Sequence, residues 1–304
     1  MGRLGRRAWH TRKTPPLLLL VASVVFAVVV FVPANDLASG LTDRVATAAD
    51  PGFRSSGAAS ENGQSFGGVP AVGALFRPGS SGDLGPHFCT ASVVNSPGGD
   101  LAVTAAHCVT ENPGTLVFAP GYSSGQSPYG IWRVTRVYTD AAWQSAQNPD
   151  DDVAFLRLAK ASDGVPIEDV TGAETLGISW PARTYVRVIG YPDGETQPVW
   201  CDNWAQSFSS TQLQFDCGGY TDGTSGGPFL AESSSGGNEL DSTFSSGSSA
   251  SDSYVSDNAG TAGEGTVIGV IGGYEQGGDS PSVSYSVAFG PTVASLFRTA
   301  EAGG

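Results

Sequence analysis

Leu101-Ala102-Val103-Thr104-Ala105-Ala106-His107-Cys108 is a short apolar run that shrinks to alanine just before a histidine and ends on a cysteine. Leucine, valine and threonine suit a pleated, buried strand, and the alanines let neighbouring backbone approach the imidazole. A cysteine one position further on is placed to tie the turn back to the body of the protein. The stretch reads as a strand that delivers a histidine to a fixed place.

The remainder of the chain agrees with a protein built from strands. Glycine (42) and proline (19) make up about 20% of the 304 residues, well above the usual ~12%, which favours many turns between short strands. Apolar stretches recur between turn clusters at 72–76, 88–94, 131–138, 153–158, 184–189, 213–217, 266–271 and 283–289. Such spacing predicts a sandwich or barrel. Leu213, Phe215 and Cys217 alternate with Gln214 and Asp216, the period of a strand with one buried face. The segment Asn95 to Asp100, with one proline and two glycines, predicts a hairpin. Pro291 fits a first helical position, and Val293, Leu296 and Phe297 fall on one stripe, so a short closing helix is expected.

Charge is uneven along the chain. Five of the fifteen basic residues (Arg3, Arg6, Arg7, Arg12, Lys13) precede the first acidic one, which leaves ten against 29 acidic residues downstream. That excess of negative charge argues against nucleic acid as a partner. After the basic start comes an apolar run from Leu17 to Val32, interrupted only by Ser23. This layout predicts a signal peptide over 1–34; sixteen residues fall short of the ~20 that span a bilayer, so secretion is favoured over anchoring by an uncleaved segment. The next stretch, 35–66, is rich in Ala, Ser, Gly and Asp and reads as a propeptide or disordered linker, with the folded domain over 67–304. Within it, 232–264 is dominated by Ser, Gly and Asp, has no basic residue, and is expected to be a mobile surface loop.

Four cysteines (Cys89, Cys108, Cys201, Cys217) all follow the export signal, an even count that predicts two disulfides. With no C-x-x-C pair and three histidines in the chain, no metal and no cofactor are expected.

Three local contexts carry chemistry. His107 ends its strand as described. Asp152 opens the apolar run Val153-Ala154-Phe155-Leu156, where a carboxylate would be partly buried; its neighbours Asp150 and Asp151 read as solvent-facing. Ser225 sits in Gly223-Thr224-Ser225-Gly226-Gly227-Pro228, where glycines allow tight turns that aim amide N–H groups at one point. A hydroxyl becomes a useful nucleophile when an imidazole takes its proton and a carboxylate orients that imidazole. Taken singly, each residue has a plainer reading: a structural histidine, a loop carboxylate, a glycine-rich turn. His87 reads as structural or surface.

Together, Thr104 to Cys108 (TAAHC), Asp152 to Ala154 (DVA) and Gly223 to Pro228 (GTSGGP) resemble the three signatures of the chymotrypsin-like (trypsin-like) serine proteases, in that family's order of histidine, aspartate, serine. The resemblance spans roughly Val72 to Phe297. It implies two perpendicular six-stranded antiparallel barrels with the site between them, His107, Asp152 and Ser225 as catalytic triad, and the amides of Gly223 and Ser225 as oxyanion hole. It also implies a Cys89–Cys108 bridge beside the histidine, which leaves Cys201 with Cys217 in the second barrel. The implied activity is a secreted endopeptidase acting on proteins or peptides, expected to be a monomer. Two alternatives remain: a catalytically silent protease-like binding module, and an esterase using the same nucleophile.

Departures narrow the resemblance to the bacterial secreted branch, with its glutamyl endopeptidase-like and Streptomyces-type enzymes. Thr224 stands where the animal members carry an aspartate that pairs with a freed N-terminus. Gly219 stands where a preference for arginine or lysine would need an aspartate. No histidine follows Ser225 to recognise a glutamate. Gly219, Tyr220, Gly272, Gly273 and Tyr274 are the expected substrate-binding residues, with Tyr274 narrowing the pocket. Asp222 reads either as a loop carboxylate or as a bias toward basic side chains nearby.

Overall fold

The computed structural model describes residues 62–79, 83–109, 113–231 and 262–303. The apolar run at 17–32, the tail up to residue 61 and the acidic stretch over 232–261 lie outside the described residues.

Fourteen strands are present among the described residues: β1 (Gln64–Ser65), β2 (Val72–Phe76), β3 (His87–Val94), β4 (Leu101–Thr104), β5 (Val117–Pro120), β6 (Trp132–Thr139), β7 (Ala154–Leu158), β8 (Ala173–Leu176), β9 (Thr184–Gly190), β10 (Val199–Ser207), β11 (Gln212–Asp216), β12 (Pro228–Ala231), β13 (Ala262–Val270) and β14 (Val283–Val287). Helices are few and short: α1 (Ala141–Ala146), α2 (Glu168–Thr171) and α3 (Pro291–Ala302). No helix among the described residues is long and apolar enough to cross a membrane.

Strands β2 to β7 close into a six-stranded barrel in the order β3-β2-β5-β6-β7-β4, with β4 pairing back onto β3. Strands β9 to β14 form the second set, ordered β14-β11-β10-β9-β12-β13, and an Ile271–Ser286 bridge joins its ends. Two strand sets, each joined end to end, match the double-barrel arrangement expected from the sequence. Strand β8 runs parallel to β3 on one side and to β13 on the other, a continuous hydrogen-bonded link between the two sets. The short β1 pairs with β10, Gln64 opposite Trp200.

The pleat explains why the strands read as nearly unbroken apolar runs, since alternate residues face opposite sides and both sides are covered. On β4, Ala102 points into the first barrel with Leu75, Val93, Phe118 and Leu156. Leu101 and Val103 point the other way, into a core shared with Ile189, Leu230 and Val270 of the second half. A third core, with Val188, Phe215 and Phe229, fills the second barrel. Two disulfides, Cys89–Cys108 and Cys201–Cys217, staple one barrel each.

Helix α3 begins at Pro291 and buries Val293, Leu296 and Phe297, the stripe expected from the sequence. Phe297 packs on Phe155 with ring centroids 5.2 Å apart. Arg157 on β7 pairs with Asp100 at 2.6 Å and donates to the Ala300 carbonyl at 2.5 Å, fastening the end of the helix to the first barrel.

Candidate active site

His107 lies on a 3-10 turn, Ala106–Val109, that continues β4. Asp152 follows a second 3-10 turn, Pro149–Asp151, capped by Asn148, whose side chain accepts from the Asp150 N–H. Asp150 is exposed, but it accepts from Thr211 Oγ1 and from Gln212 Nε2, both at 2.9 Å, so this acidic neighbour braces the loop that presents Asp152. The Asp152 carboxylate is fully buried. Its Oδ1 accepts the His107 backbone N–H at 2.8 Å; its Oδ2 accepts His107 Nδ1 at 2.7 Å and the Gly273 N–H at 2.8 Å. Because a carboxylate only accepts, the His107 proton of this pair sits on Nδ1 and the Nε2 lone pair is left available.

Ser225 belongs to the tight turn before β12, on the wall of a cleft of about 760 Å³ that His107 and Gly223 also line. The turn needs its glycines. Gly226 has φ +81°, and a Cβ there would stand 2.1 Å from Thr104 Oγ1 and 2.2 Å from the Thr90 carbonyl. Gly223 has φ +90°. The Asp222 carbonyl accepts from Asp193 N at 2.6 Å and the Thr224 carbonyl from Gly227 N at 2.9 Å. In a trans peptide the N–H opposes the C=O, so the Gly223 and Ser225 N–H groups turn away from these partners. Neither donates to another group among the described residues.

Tyr220 forms part of the cleft wall; it is buried, and its hydroxyl donates to the Val188 carbonyl at 2.7 Å. Burial pushes its phenol well above the ordinary value, with nearby Asp202 adding to the effect. Asp222 also lines the cleft, together with Asp193, Glu275 and Asp279.

The other expected pocket residues adjoin cleft residues in the chain, Gly219 next to Tyr220 and Gly272 to Tyr274 between Ile271 and Glu275. Gly219 sits beside the N-terminal segment, where Gly63 N donates to the Gly218 carbonyl at 2.7 Å. Gly272 donates to the Tyr285 carbonyl, and a Cβ at this position would stand 3.0 Å from Asp152 Oδ2. Gly273 spends its N–H on Asp152. Tyr274 is 40% exposed and stacks with Phe208 and Tyr285 at 5.0 and 5.1 Å, beside a separate shallow pocket with Pro149 and Gln212. Its phenol is raised by the adjacent Glu275 carboxylate.

His87 is buried, with Nε2 donating to the Glu195 carbonyl at 2.9 Å, in a cage formed by Phe76, Tyr122 and Tyr191. Among the described residues, Cys89, His107 and Cys108 are the one grouping with the proximity of metal ligands, and both cysteines are consumed in a disulfide.

Residues 89–236 match the model of a trypsin-like peptidase domain. That segment, a little under half of the chain, is similar to the trypsin-like peptidase domain and contains His107, Asp152 and Ser225. Trypsin theta of Drosophila erecta is 31% identical over 117 residues, 38% of this chain and 42% of that protein. The match thus spans about two fifths of the length of that curated relative. Protease Anisep from Arthrobacter nicotinovorans shares the fold with a TM-score of 0.60 at 23% identity, over 79% of this chain and 99% of that one. A thermostable serine protease from an extremophilic microorganism aligns with a TM-score of 0.58 at 23% identity, over 78% and 99%. A Glu endopeptidase aligns with a TM-score of 0.56 at 14% identity, over 80% and 98%. These likenesses extend the trypsin-like fold beyond the segment matched by sequence.

Proposed function

We propose that this trypsin-like domain is a secreted serine endopeptidase using His107, Asp152 and Ser225 as its triad. The supporting observation is the buried Asp152 carboxylate bonded to His107 Nδ1 at 2.7 Å, with His107 and Ser225 on one cleft. In the proposed cycle Ser225 Oγ attacks the scissile carbonyl carbon while His107 Nε2 takes the hydroxyl proton. Asp152 stabilises the imidazolium that results. The carbonyl oxygen, now negative, accepts from the Gly223 and Ser225 amides; each such donor lowers the barrier by about 3 kcal/mol. His107 then returns the proton to the leaving nitrogen as the C–N bond breaks. A water molecule hydrolyses the acyl-Ser225 ester by the same steps in reverse order of roles.

Export through a signal peptide over 1–34, a following segment removed or left as a linker up to the strand at Gln64–Ser65 that pairs with β10, and action as a monomer on protein or peptide substrates belong to the same proposal. Two disulfides fit an oxidising compartment outside the cell. The test is labelling of the mature protein by a fluorophosphonate, with hydrolysis of casein followed in parallel. The reading requires both, and requires both to vanish in Ser225→Ala. Labelling without cleavage of any peptide amide, with simple esters turned over, would move the assignment to an esterase. Absence of labelling would leave a binding module.

A further inference from the structure

The turn at 222–225 is bonded to a side chain that neither the sequence motifs nor the triad includes. Thr90 on β3 is fully buried. Its Oγ1 donates to the Gly223 carbonyl at 3.1 Å and accepts from Tyr191 N at 2.9 Å. Its own N–H donates to the Ser225 carbonyl at 2.7 Å, and its carbonyl accepts from Thr104 Oγ1 at 2.7 Å. One residue of the first barrel therefore touches the nucleophile's backbone, the glycine two positions before it, and the start of the loop at 191–195.

Gly223 makes this contact consequential. Glycine at φ +90° turns more freely than any other residue, so the two peptides flanking it hold their orientation only if something outside holds them. The peptide before it is held by Asp193 N on the Asp222 carbonyl, and the peptide after it by the Thr90 hydroxyl on its carbonyl and by the Thr221 carbonyl, which accepts Thr224 N at 3.2 Å. The two holds are linked, because the hydroxyl also binds Tyr191 N, two residues ahead of Asp193. The Thr90 oxygen thus adds a second tie between the loop at 191–193 and the turn at 222–225, beside the direct bond from Asp193 N to the Asp222 carbonyl.

We infer that the Thr90 hydroxyl is a positioning residue that presets the Gly223 N–H for the charge developing on the substrate carbonyl. The inference rests on the peptidase reading above. Preorganised donors stabilise such charge because no reorientation is needed at the moment of reaction.

The test compares Thr90→Val, which keeps the shape and removes the hydroxyl, with Thr90→Ser, which keeps it. Losing an oxyanion donor outright costs roughly 100- to 1,000-fold in kcat, and a donor present but unanchored costs less, ~10- to 100-fold. Thr90→Val is expected to lose that much kcat per titrated active site while KM moves less than about threefold. A peptide aldehyde, which forms a tetrahedral adduct on Ser225, should bind the Val variant more weakly by the same factor. Thr90→Ser should restore both. Amide exchange of the 221–227 segment, read on the same proteins, should quicken in Thr90→Val and not in Thr90→Ser. If the Val variant keeps wild-type kcat per titrated site and loses only the fraction of folded protein, the hydroxyl is merely structural and the inference is overturned. A wild-type chain that neither labels nor cleaves would sink the peptidase reading instead, and unchanged exchange in Thr90→Val would still refute the clamp by itself.

Discussion

Asp152 grips His107 at both ends, Oδ1 on the backbone N–H at 2.8 Å and Oδ2 on ring Nδ1 at 2.7 Å. The pair fixes the position of the residue and the tautomer of its ring together. In Asp152→Asn one of the two acceptors becomes an NH₂ group facing an N–H, and the ring is driven to the wrong tautomer. On the proposed reading kcat for a chromogenic peptide amide falls about 10⁴-fold, with KM within a few-fold of wild type. A loss under tenfold would dissociate Asp152 from the chemistry.

Gly226→Ala should do more than slow the reaction. The new methyl group would overlap Thr104 Oγ1 and the Thr90 carbonyl, both on buried strands, at a backbone angle alanine avoids. Overpacking and strain of this kind cost about 3 kcal/mol or more. Denaturant unfolding of the variant, held inactive by Ser225→Ala to prevent self-digestion, gives the number directly.

The two disulfides should separate stability from activity. Replacing either pair by alanine removes a loop closure over 19 or 16 positions, worth roughly 3 kcal/mol in urea unfolding. Cys108 follows His107 directly, so loss of the Cys89–Cys108 bridge should also lower kcat. Loss of Cys201–Cys217 should leave kcat within about threefold.

Alkaline pH should weaken the fold through Tyr191 and Tyr220. Burial holds both phenols neutral well above the ordinary value of about 10. Between the unfolded and folded values the unfolded chain binds fewer protons, so stability is intact below pH ~10 and falls as pH rises beyond it. The slope approaches about 1.4 kcal/mol per pH unit for each tyrosine. Thermal melts from pH 8 to 11 should show it, and Tyr191→Phe should reduce the slope. An unchanged slope in that variant would show that Tyr191 does not contribute.

The strands that the sequence announces most clearly are those bounded by turn residues and made of Val, Leu and Phe, such as Val72–Phe76, found with the same bounds, and His87–Val94, one residue longer than expected. Less legible were β10, whose Asp202, Asn203 and Trp204 break any apolar period, and β5, only four residues long. Asp202 is tolerated in the sheet because Arg187, directly opposite on β9, pairs with it at 2.8 Å. Such compensation between residues fifteen positions apart cannot be read from either one alone.

At the site, the residues with chemical side chains stood out because their flanking small residues are unusual in combination. Thr90 gave no such signal. A buried strand threonine is ordinary, and its importance comes from three backbone groups brought to it from 101 to 135 positions away. Gly273 is similar: its N–H is bound to Asp152, 121 positions away, a partner that no feature of the local sequence announces.

Strand β8, lying between β3 and β13, bears on how long the molecule lasts. Hydrogen bonds that run without a break from one half to the other oppose any gaping of the halves, and partial opening is the event that exposes chain to cleavage. On the proposed reading, an endopeptidase meets its own copies, and it survives by the rarity of that event. In this architecture Ala173–Leu176, a four-residue strand outside the cleft lining, is where endurance against self-consumption would be won or lost.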